Sequence, residues 1–235
     1  MLSLDTSVLD NPILNALSTE HSGLALGGKL AKRYPPAIGP LSGIVEQSVE
    51  SYESLRQLAG AGGTLALFLQ EKPAPPAGWT LIRGGPLDQM ISLEPVSQKS
   101  RTLASSLAIR PLTSAHVPAM VALAELTEPG PFRDRTSELG AFFGIFEDQR
   151  LLAMAGQRLH LPDFVEVSAV CTHPDARGRG YARILIDVVV QEIRSRNKTP
   201  ILHTFSDNHS AVRVYESLGF RVRRNFQLAV LKNEA

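Results

Sequence analysis

The chain has 235 residues, 43% hydrophobic and 20% charged, an ordinary composition for a folded protein with room for one large or two small domains. Lys plus Arg number 24 and Asp plus Glu 23, a net charge of +1, so nothing electrostatic points to nucleic acid or to a membrane surface as a partner. The lone cysteine, Cys171, excludes an internal disulfide framework and a multi-cysteine metal site, and no apolar run reaches the length of about 18 residues that a membrane span needs. The opening MLSLDTSVLD lacks the basic and apolar regions of a signal peptide, so a cytoplasmic protein is expected.

Asn11-Pro12 is a helix start, and Ile13, Leu14 and Leu17 carry the helix to about residue 20. Gly23, Gly27, Gly28 and Tyr34-Pro35-Pro36 break the pattern, with short strands expected between them. Ser48 to Leu58 predicts a second helix, with Val49, Tyr52, Leu55 and Leu58 in one stripe. Gly60-Ala61-Gly62-Gly63 follows a helix and precedes a strand, the reverse of a phosphate loop's order, and is read as helix termination. Thr64 to Gln70 is a strand, Pro73 to Gly78 a loop, and Trp79 to Ile82 and Leu87 to Leu93 are two more strands. Glu94 to Ser106 is polar and poor in aromatics. A linker is placed here, dividing the chain into residues 1–98 and 105–235.

The second part opens with a strand ending at Pro111, a helix over His116 to Leu126 and the stop Glu128-Pro129-Gly130-Pro131. A short helix or loop is expected near Phe132 to Glu138. Gly140 to Phe146 and Leu151 to Leu161 predict antiparallel strands about the turn Glu147 to Arg150. Alternation predicts a strand over Glu166 to Thr172, stopped by His173-Pro174-Asp175. Tyr181 to Arg196 is a helix with a broad apolar face, and Pro200 to Phe205 the next strand. Ser206-Asp207-Asn208 caps a helix whose stripe is Ala211, Val214, Tyr215 and Leu218. Phe220 to Val222 and Phe226 to Leu231 are read as a hairpin turning at Arg223-Arg224-Asn225.

The stretch Arg177-Gly178-Arg179-Gly180-Tyr181-Ala182 joins the Glu166 strand to the helix at Tyr181. Two glycines let the backbone turn tightly and approach a ligand. The first amides of a helix have no internal partners and carry the positive end of its dipole. Strand, glycine turn and helix start therefore predict an anion site, best suited to phosphate, with the two arginines adding charge. The sequence has no P-loop lysine signature, and no acidic residue stands where a dinucleotide fingerprint places one.

RGRGYA resembles the R/Q-x-x-G-x-G/A motif of the GNAT superfamily of acyl-CoA-dependent N-acyltransferases. The preceding CTHPDARGRG is close to the family's V-H-P-x-x-R-G-x-G run, and SDNHSAVRVYESLGF resembles its second signature, N-x-x-A-x-x-x-Y-x-x-x-G-F. The resemblance covers about residues 105 to 232. It implies an α/β (α+β) protein with a mixed, mainly antiparallel central sheet flanked by helices. The helix and strand order before residue 98 resembles a smaller, degenerate GNAT-like module, as in the glycine N-acyltransferase-like branch.

The family implies an N-acetyltransferase that moves an acetyl group from acetyl-CoA to a primary amine by direct attack, with no metal. The pantetheine arm would lie between strands Glu166–Thr172 and Pro200–Phe205, which splay apart at a bulge. Backbone amides of Val170, Cys171 and Thr172 would hold it and polarise the thioester. Arg177, Gly178, Arg179, Gly180, Tyr181 and Ala182 would bind the pyrophosphate. Asn208 matches an asparagine that contacts the same arm, although a helix cap would explain it equally. Tyr215 matches the tyrosine that protonates the departing thiolate; its bland reading is a core residue. Glu166 is the candidate base, against the reading of an ordinary polar strand residue. Strand alternation places it with Ser168 and Val170 unless a bulge inverts the parity. Glu138 and His160 are weaker alternatives for the base. Cys171 is read as a small buried strand residue rather than a nucleophile.

The acceptor is a small-molecule or peptide amine that the sequence does not select further, and a homodimer is compatible with it. Two other functions remain open: an acyl-CoA-binding regulator without turnover, and an interaction module whose glycine loop binds nothing.

Overall fold

The computed structural model describes residues 4–93 and 108–234, so the linker placed at Glu94 to Ser106 lies outside the described residues. The first part runs through helix α1 (Pro12–Ala16), strands β1 (Leu26–Gly27), β2 (Ala31–Arg33) and β3 (Ser42–Ile44), helix α2 (Val49–Ala59), and strands β4 (Thr64–Leu69) and β5 (Trp79–Ile91). The second runs through β6 (Ile109–Leu112), α3 (Val117–Thr127), β7 (Phe142–Glu147), β8 (Arg150–His160), β9 (Phe164–Thr172), α4 (Tyr181–Ser195), β10 (Thr199–Phe205), α5 (His209–Ser217) and β11 (Arg221–Asn233).

Among the described residues, β1 to β3 form a small sheet and the other eight strands form one large sheet, ordered β4-β11-β5-β10-β9-β8-β7-β6. Every neighbouring pair in the large sheet is antiparallel except β9 and β10. This is a mixed α/β fold with a mostly antiparallel central sheet flanked by helices. Strands from before residue 94 and after residue 107 are hydrogen-bonded side by side in that sheet, and one core cluster joins Leu9, Ile13 and Leu17 to Leu159, Phe164 and Phe226. Among the described residues, no helix is long and apolar enough to cross a membrane.

The sheet is covered on both faces, and strand alternation sorts the side chains between them. Val165, Val167, Ala153 and Ala155 pack with Leu185, Val189 and Ile193 of α4. Met154 and Phe142 pack on the other face with Met120 and Leu123 of α3. α2 starts at Ser48, whose side chain accepts from the Ser51 amide, and ends at Gly60 with φ 69°. The glycine run at 60 to 63 is thus a helix terminus.

Two local readings are corrected. Trp79–Ile82 and Leu87–Ile91 are parts of one thirteen-residue strand, β5, which ends two residues before the expected Leu93. Arg221–Val222 and Phe226–Leu231 are likewise parts of β11, which Phe220 immediately precedes, with a register shift between Val222 and Arg224 in place of a turn. The physical reason is the partner. β5 lies beside β11 from Arg221↔Ile91 to Asn233↔Trp79. The polar triplet that looked like a turn is satisfied by side chains of the sheet and of the segments beside it. Arg223 donates to Gln89 and Asp10, Arg224 to Gln70, and Asn225 to Asp88.

Gly156 on β8 lies opposite Ser168 on β9, where the two strands fall out of step. A Cβ there would stand 2.2 Å from Cδ1 of the buried Phe142 ring. A buried ring has little room to retreat, so Gly156→Ala should destabilise the protein by about 1–3 kcal/mol. Thermal unfolding should show a midpoint lowered by several degrees; an unchanged midpoint would mean this packing is looser than described.

Candidate active site

β9 and β10 pair only over Phe164↔Thr199, Val165↔Pro200 and Glu166↔Ile201. Beyond that point β9 continues to Thr172 beside β8, and β10 continues to Phe205 beside β5. A gap therefore opens between the two strands. At its edge Met154 pairs with Cys171 and Gly156 with Ser168, so Ala169 and Val170 together face one residue of β8. This is a β-bulge. Ala169 adopts φ 52°, a left-handed conformation that costs a residue with a Cβ about 1–2 kcal/mol.

The bulge inverts the strand's parity. Before it, Val165 and Val167 face α4, with Glu166 and Ser168 in phase with Phe164 on the opposite face. After it, Val170 packs with the α4 core, while Ala169 and Cys171 pack on the α3 side. Val170 is thus separated from Glu166 and Ser168, the alternative that the sequence left open. Burial pushes the Cys171 thiol up to about 11, which keeps it protonated, and Thr172 is half-buried.

At the N-terminus of α4, Gly178 and Gly180 have φ 77° and 78°, and nothing lies within 4 Å of where a Cβ would stand on either. Arg177 to Gly180 are exposed, and Tyr181 and Ala182 half-buried. Among the described residues, the amides of Gly178, Arg179 and Gly180 donate to no backbone carbonyl, and no side chain caps the helix. Arg179 reaches Glu147 at 3.5 Å and the Asp175 carbonyl at 3.3 Å. An exposed cradle of unbonded amides beside two arginines fits a pyrophosphate.

Asn208 caps α5, its Oδ1 accepting from the Ala211 amide at 3.2 Å. Tyr215 is half-buried, packs edge-on against Phe220, and leans on the same core cluster as Val170 and Tyr181. Burial pushes its phenol up to about 12, so it carries its proton at neutral pH.

Glu166 is fully buried. Arg158 donates to it twice, from Nε at 2.8 Å and from Nη2 at 2.5 Å, and His203 Nδ1 lies 2.7 Å from Oε1. Burial alone would raise this carboxyl, but the Arg158 charge and then His203, with their hydrogen bonds, hold it down at about 2. Such a carboxylate is committed to its partners and is a poor acceptor for an amine's proton.

The network runs on from His203. Gln89 Oε1 accepts from Arg223 and Gln89 Nε2 donates to the Leu9 carbonyl, which fixes the amide's orientation. Nε2 also lies 3.0 Å from His203 Nε2, which must then accept, leaving the ring proton on Nδ1 for Glu166. Arg223 closes on Asp10 at 2.6 Å. The weaker candidates lie elsewhere. Glu138 pairs with Arg135 on the surface, and His160 is stacked near His21.

On this face of β8 and β9 lies a shallow cleft. Pro129, Gly130, Pro131 and Phe132 form one wall, and Arg158, Ser168 and Ala169 line it from the sheet. A second hollow, sharing Pro131, Thr136 and Arg158, extends to Tyr34, Ile38 and Leu41 of the N-terminal part. Sequence reasoning missed Arg158. The available signal was an arginine inside the largely apolar strand run Leu151 to Leu161, a charge that demands a partner if it is buried. Among the described residues, no group of three His, Cys, Asp or Glu could hold a metal ion.

A family model described as FR47-like protein matches residues 142–228. A crystal structure from Novosphingobium aromaticivorans, described as an acetyltransferase of the GNAT family, is 39% identical with a TM-score of 0.86. The match covers 97% of this chain and 99% of that one. Mycothiol acetyltransferase of Rhodococcus opacus is 25% identical over 225 residues, covering 87% of this chain and 69% of that protein. Mycothiol acetyltransferase of Rhodococcus jostii is 36% identical over 84 residues, 33% of this chain but only 28% of that protein's length.

The buried ion pair has a pH signature. Glu166 falls from its ordinary 4.5 to about 2 on folding, so the folded state favours its ionised form. That stabilisation is complete above the unfolded value and is lost as pH falls from about 4.5 towards 2. Unfolding midpoints measured down this range should drop, and Glu166→Gln should flatten the drop while lowering stability at pH 7. An equally steep acid response in Glu166→Gln would show that another group is responsible.

Proposed function

The chain belongs to the GNAT family of acetyltransferases, and on that premise we propose that it transfers an acetyl group from acetyl-CoA to a primary amine by direct attack. The observation that most supports this reading is the gap at the Ala169 bulge, with the exposed amides of Gly178 to Gly180 at the start of the adjacent α4. The gap would take the pantetheine arm, with the amides of Val170, Cys171 and Thr172 beside it. Arg177, Gly178, Arg179, Gly180, Tyr181 and Ala182 would hold the pyrophosphate, and Asn208, besides capping α5, would stand near the arm.

The chemistry then assigns a direction to each proton. The amine nitrogen attacks the thioester carbonyl carbon, and the carbon–sulfur bond breaks. Backbone amides at the bulge steady the carbonyl oxygen as it gains charge. The thiolate takes a proton from the Tyr215 hydroxyl, which is held in its protonated form by burial. The amine's own proton leaves to water, and water returns a proton to the Tyr215 phenolate. Arg158 and Tyr34 are the only ionisable side chains among the described residues lining the cleft, and neither is suited to accept it. Glu166 is better cast as the anchor of Arg158 than as the base.

Residues 1–98 would act as an accessory unit that shapes the acceptor side, since Tyr34 to Leu41 border the cleft. Their helix and strand order is what suggests the glycine N-acyltransferase-like branch. A regulator that binds acyl-CoA without turnover would use the same glycine loop, and product formation separates the two readings.

The test is thermal unfolding with acetyl-CoA, with ATP as control. Ligand at 100 times its Kd stabilises a native state by about 2.7 kcal/mol. The midpoint should rise with acetyl-CoA and not with ATP. Gly180→Glu should abolish the rise, because it sets a strained, negatively charged side chain at φ 78° in the anion cradle. A rise that survives in Gly180→Glu would remove the phosphate assignment. Tyr215→Phe should keep the acetyl-CoA shift and lower kcat by about 100-fold or more, the usual contribution of a positioned acid. Unchanged turnover would return Tyr215 to the core.

A further inference from the structure

We propose that His21 and His160 form an acid-sensitive latch. At neutral pH the two rings hold the N-terminal segment, and with it the Tyr34 wall of the cleft, against the end of β8; as the solution becomes acidic they release it. The device is separate from acetyl transfer and concerns how one wall of the cleft is kept in place.

His21 is buried in the turn that follows α1, and His160 is the half-buried last residue of β8. Their ring centroids lie 5.0 Å apart with the planes inclined by 31°. One ring comes from the first part of the chain and the other from the second, so the contact is a seam between them. His21 Nδ1 lies 2.8 Å from the Tyr34 hydroxyl, and the ring also donates to the Leu139 backbone. A neutral imidazole has one proton to give, so Nδ1 accepts from Tyr34. Tyr34 is buried with Leu9, Ile13 and Leu17 and borders the second hollow.

His160 Nε2 is buried and has no hydrogen-bond partner. It is pressed against Gly140, where a Cβ would stand 2.7 Å from it and 2.6 Å from Cβ of Gln157, which lines the first hollow. In a neutral ring this nitrogen can remain a bare lone pair. In a charged ring it becomes an N–H with no acceptor, a costly group to bury. A proton on His21 Nδ1 likewise turns an acceptor into a donor facing the Tyr34 hydroxyl.

The surrounding charges come in opposite-sign couples and do not favour either cation. Around His160 stand Arg196 with Glu192 and Lys198 with Glu20, and Glu192 also takes a bond from Gln157. Near Tyr34 stand Arg158 and Glu166, bound to each other. Burial and then the neighbouring His160 push His21 down to about 4, and burial pushes His160 down as well. The folded state therefore favours neutral rings. That stabilisation is complete above the unfolded imidazole value of 6.5 and is lost as pH falls from there towards about 4. The window lies above the one set by Glu166.

The experiment is hydrogen exchange of the whole protein at pH 7.5 and 5.5, resolved by peptide and corrected for the intrinsic rate at each pH. Protection of residues 17–41 should fall by about tenfold or more at pH 5.5, the ratio that His21 alone gives for values of 6.5 unfolded and about 4 folded. Peptides of β10 should change little. His21→Gln retains a donor and an acceptor, and His160→Phe retains the stacked ring. Each should remove part of the loss, and the double variant should protect residues 17–41 equally at both pH values. Equal protection of this segment at both pH values in the unaltered protein would overturn the latch. So would a loss shared evenly with β10, or a full loss that persists in the single or double variants.

Discussion

A single buried carboxylate stitches together the three strands on which the site depends. Glu166 on β9 is bound by Arg158 of β8 and by His203 of β10, and it belongs to the last residue pair that β9 and β10 share. Immediately past this stitch the two strands part. A buried charge without partners costs several kcal/mol, so the three side chains are obliged to stay together. Their distances then define where the gap begins. The obligation extends through Gln89 and Arg223 to Asp10, which ties the first helical turns of the chain to the centre of the sheet.

From that fixed point the bulge does the rest. One extra residue on β9, with Ala169 in a left-handed conformation, turns Val170 towards α4 while Ala169 and Cys171 face α3. The donor's assigned place runs along the gap to the glycine loop at the start of α4. The acceptor side, as proposed, is the cleft on the opposite face. The two meet at the bulge. Strain at Ala169, which costs about 1–2 kcal/mol, persists because pairing on either side over-determines the backbone.

Much of this was legible in residue order. Gly178 and Gly180 between a Val-rich strand and an apolar helix read correctly as a strand, a turn and a helix start. The β7–β8 hairpin and the cap at Asn208 were local patterns and appear where expected. What escaped the sequence was set by partners far away in the chain. β11 looked like a hairpin because Arg223-Arg224-Asn225 has turn composition, and only β5, more than a hundred residues earlier, makes those residues strand-like. Glu166 looked equally like a base or an ordinary polar residue of a half-exposed strand. Its character comes from Arg158, eight residues back, and His203, 37 residues on. The parity flip at Ala169 left no local mark, since alanine gives no sign of a left-handed residue.

The most direct test of this arrangement is backbone hydrogen exchange with and without acetyl-CoA, resolved to single peptides. Slowed exchange concentrated at residues 170–172 and 178–183 is the predicted result, because those amides line the gap and the helix start assigned to the donor. Protection confined to other parts of the sheet, or none at saturating acetyl-CoA, would contradict the assignment of the gap and the glycine loop as the donor site.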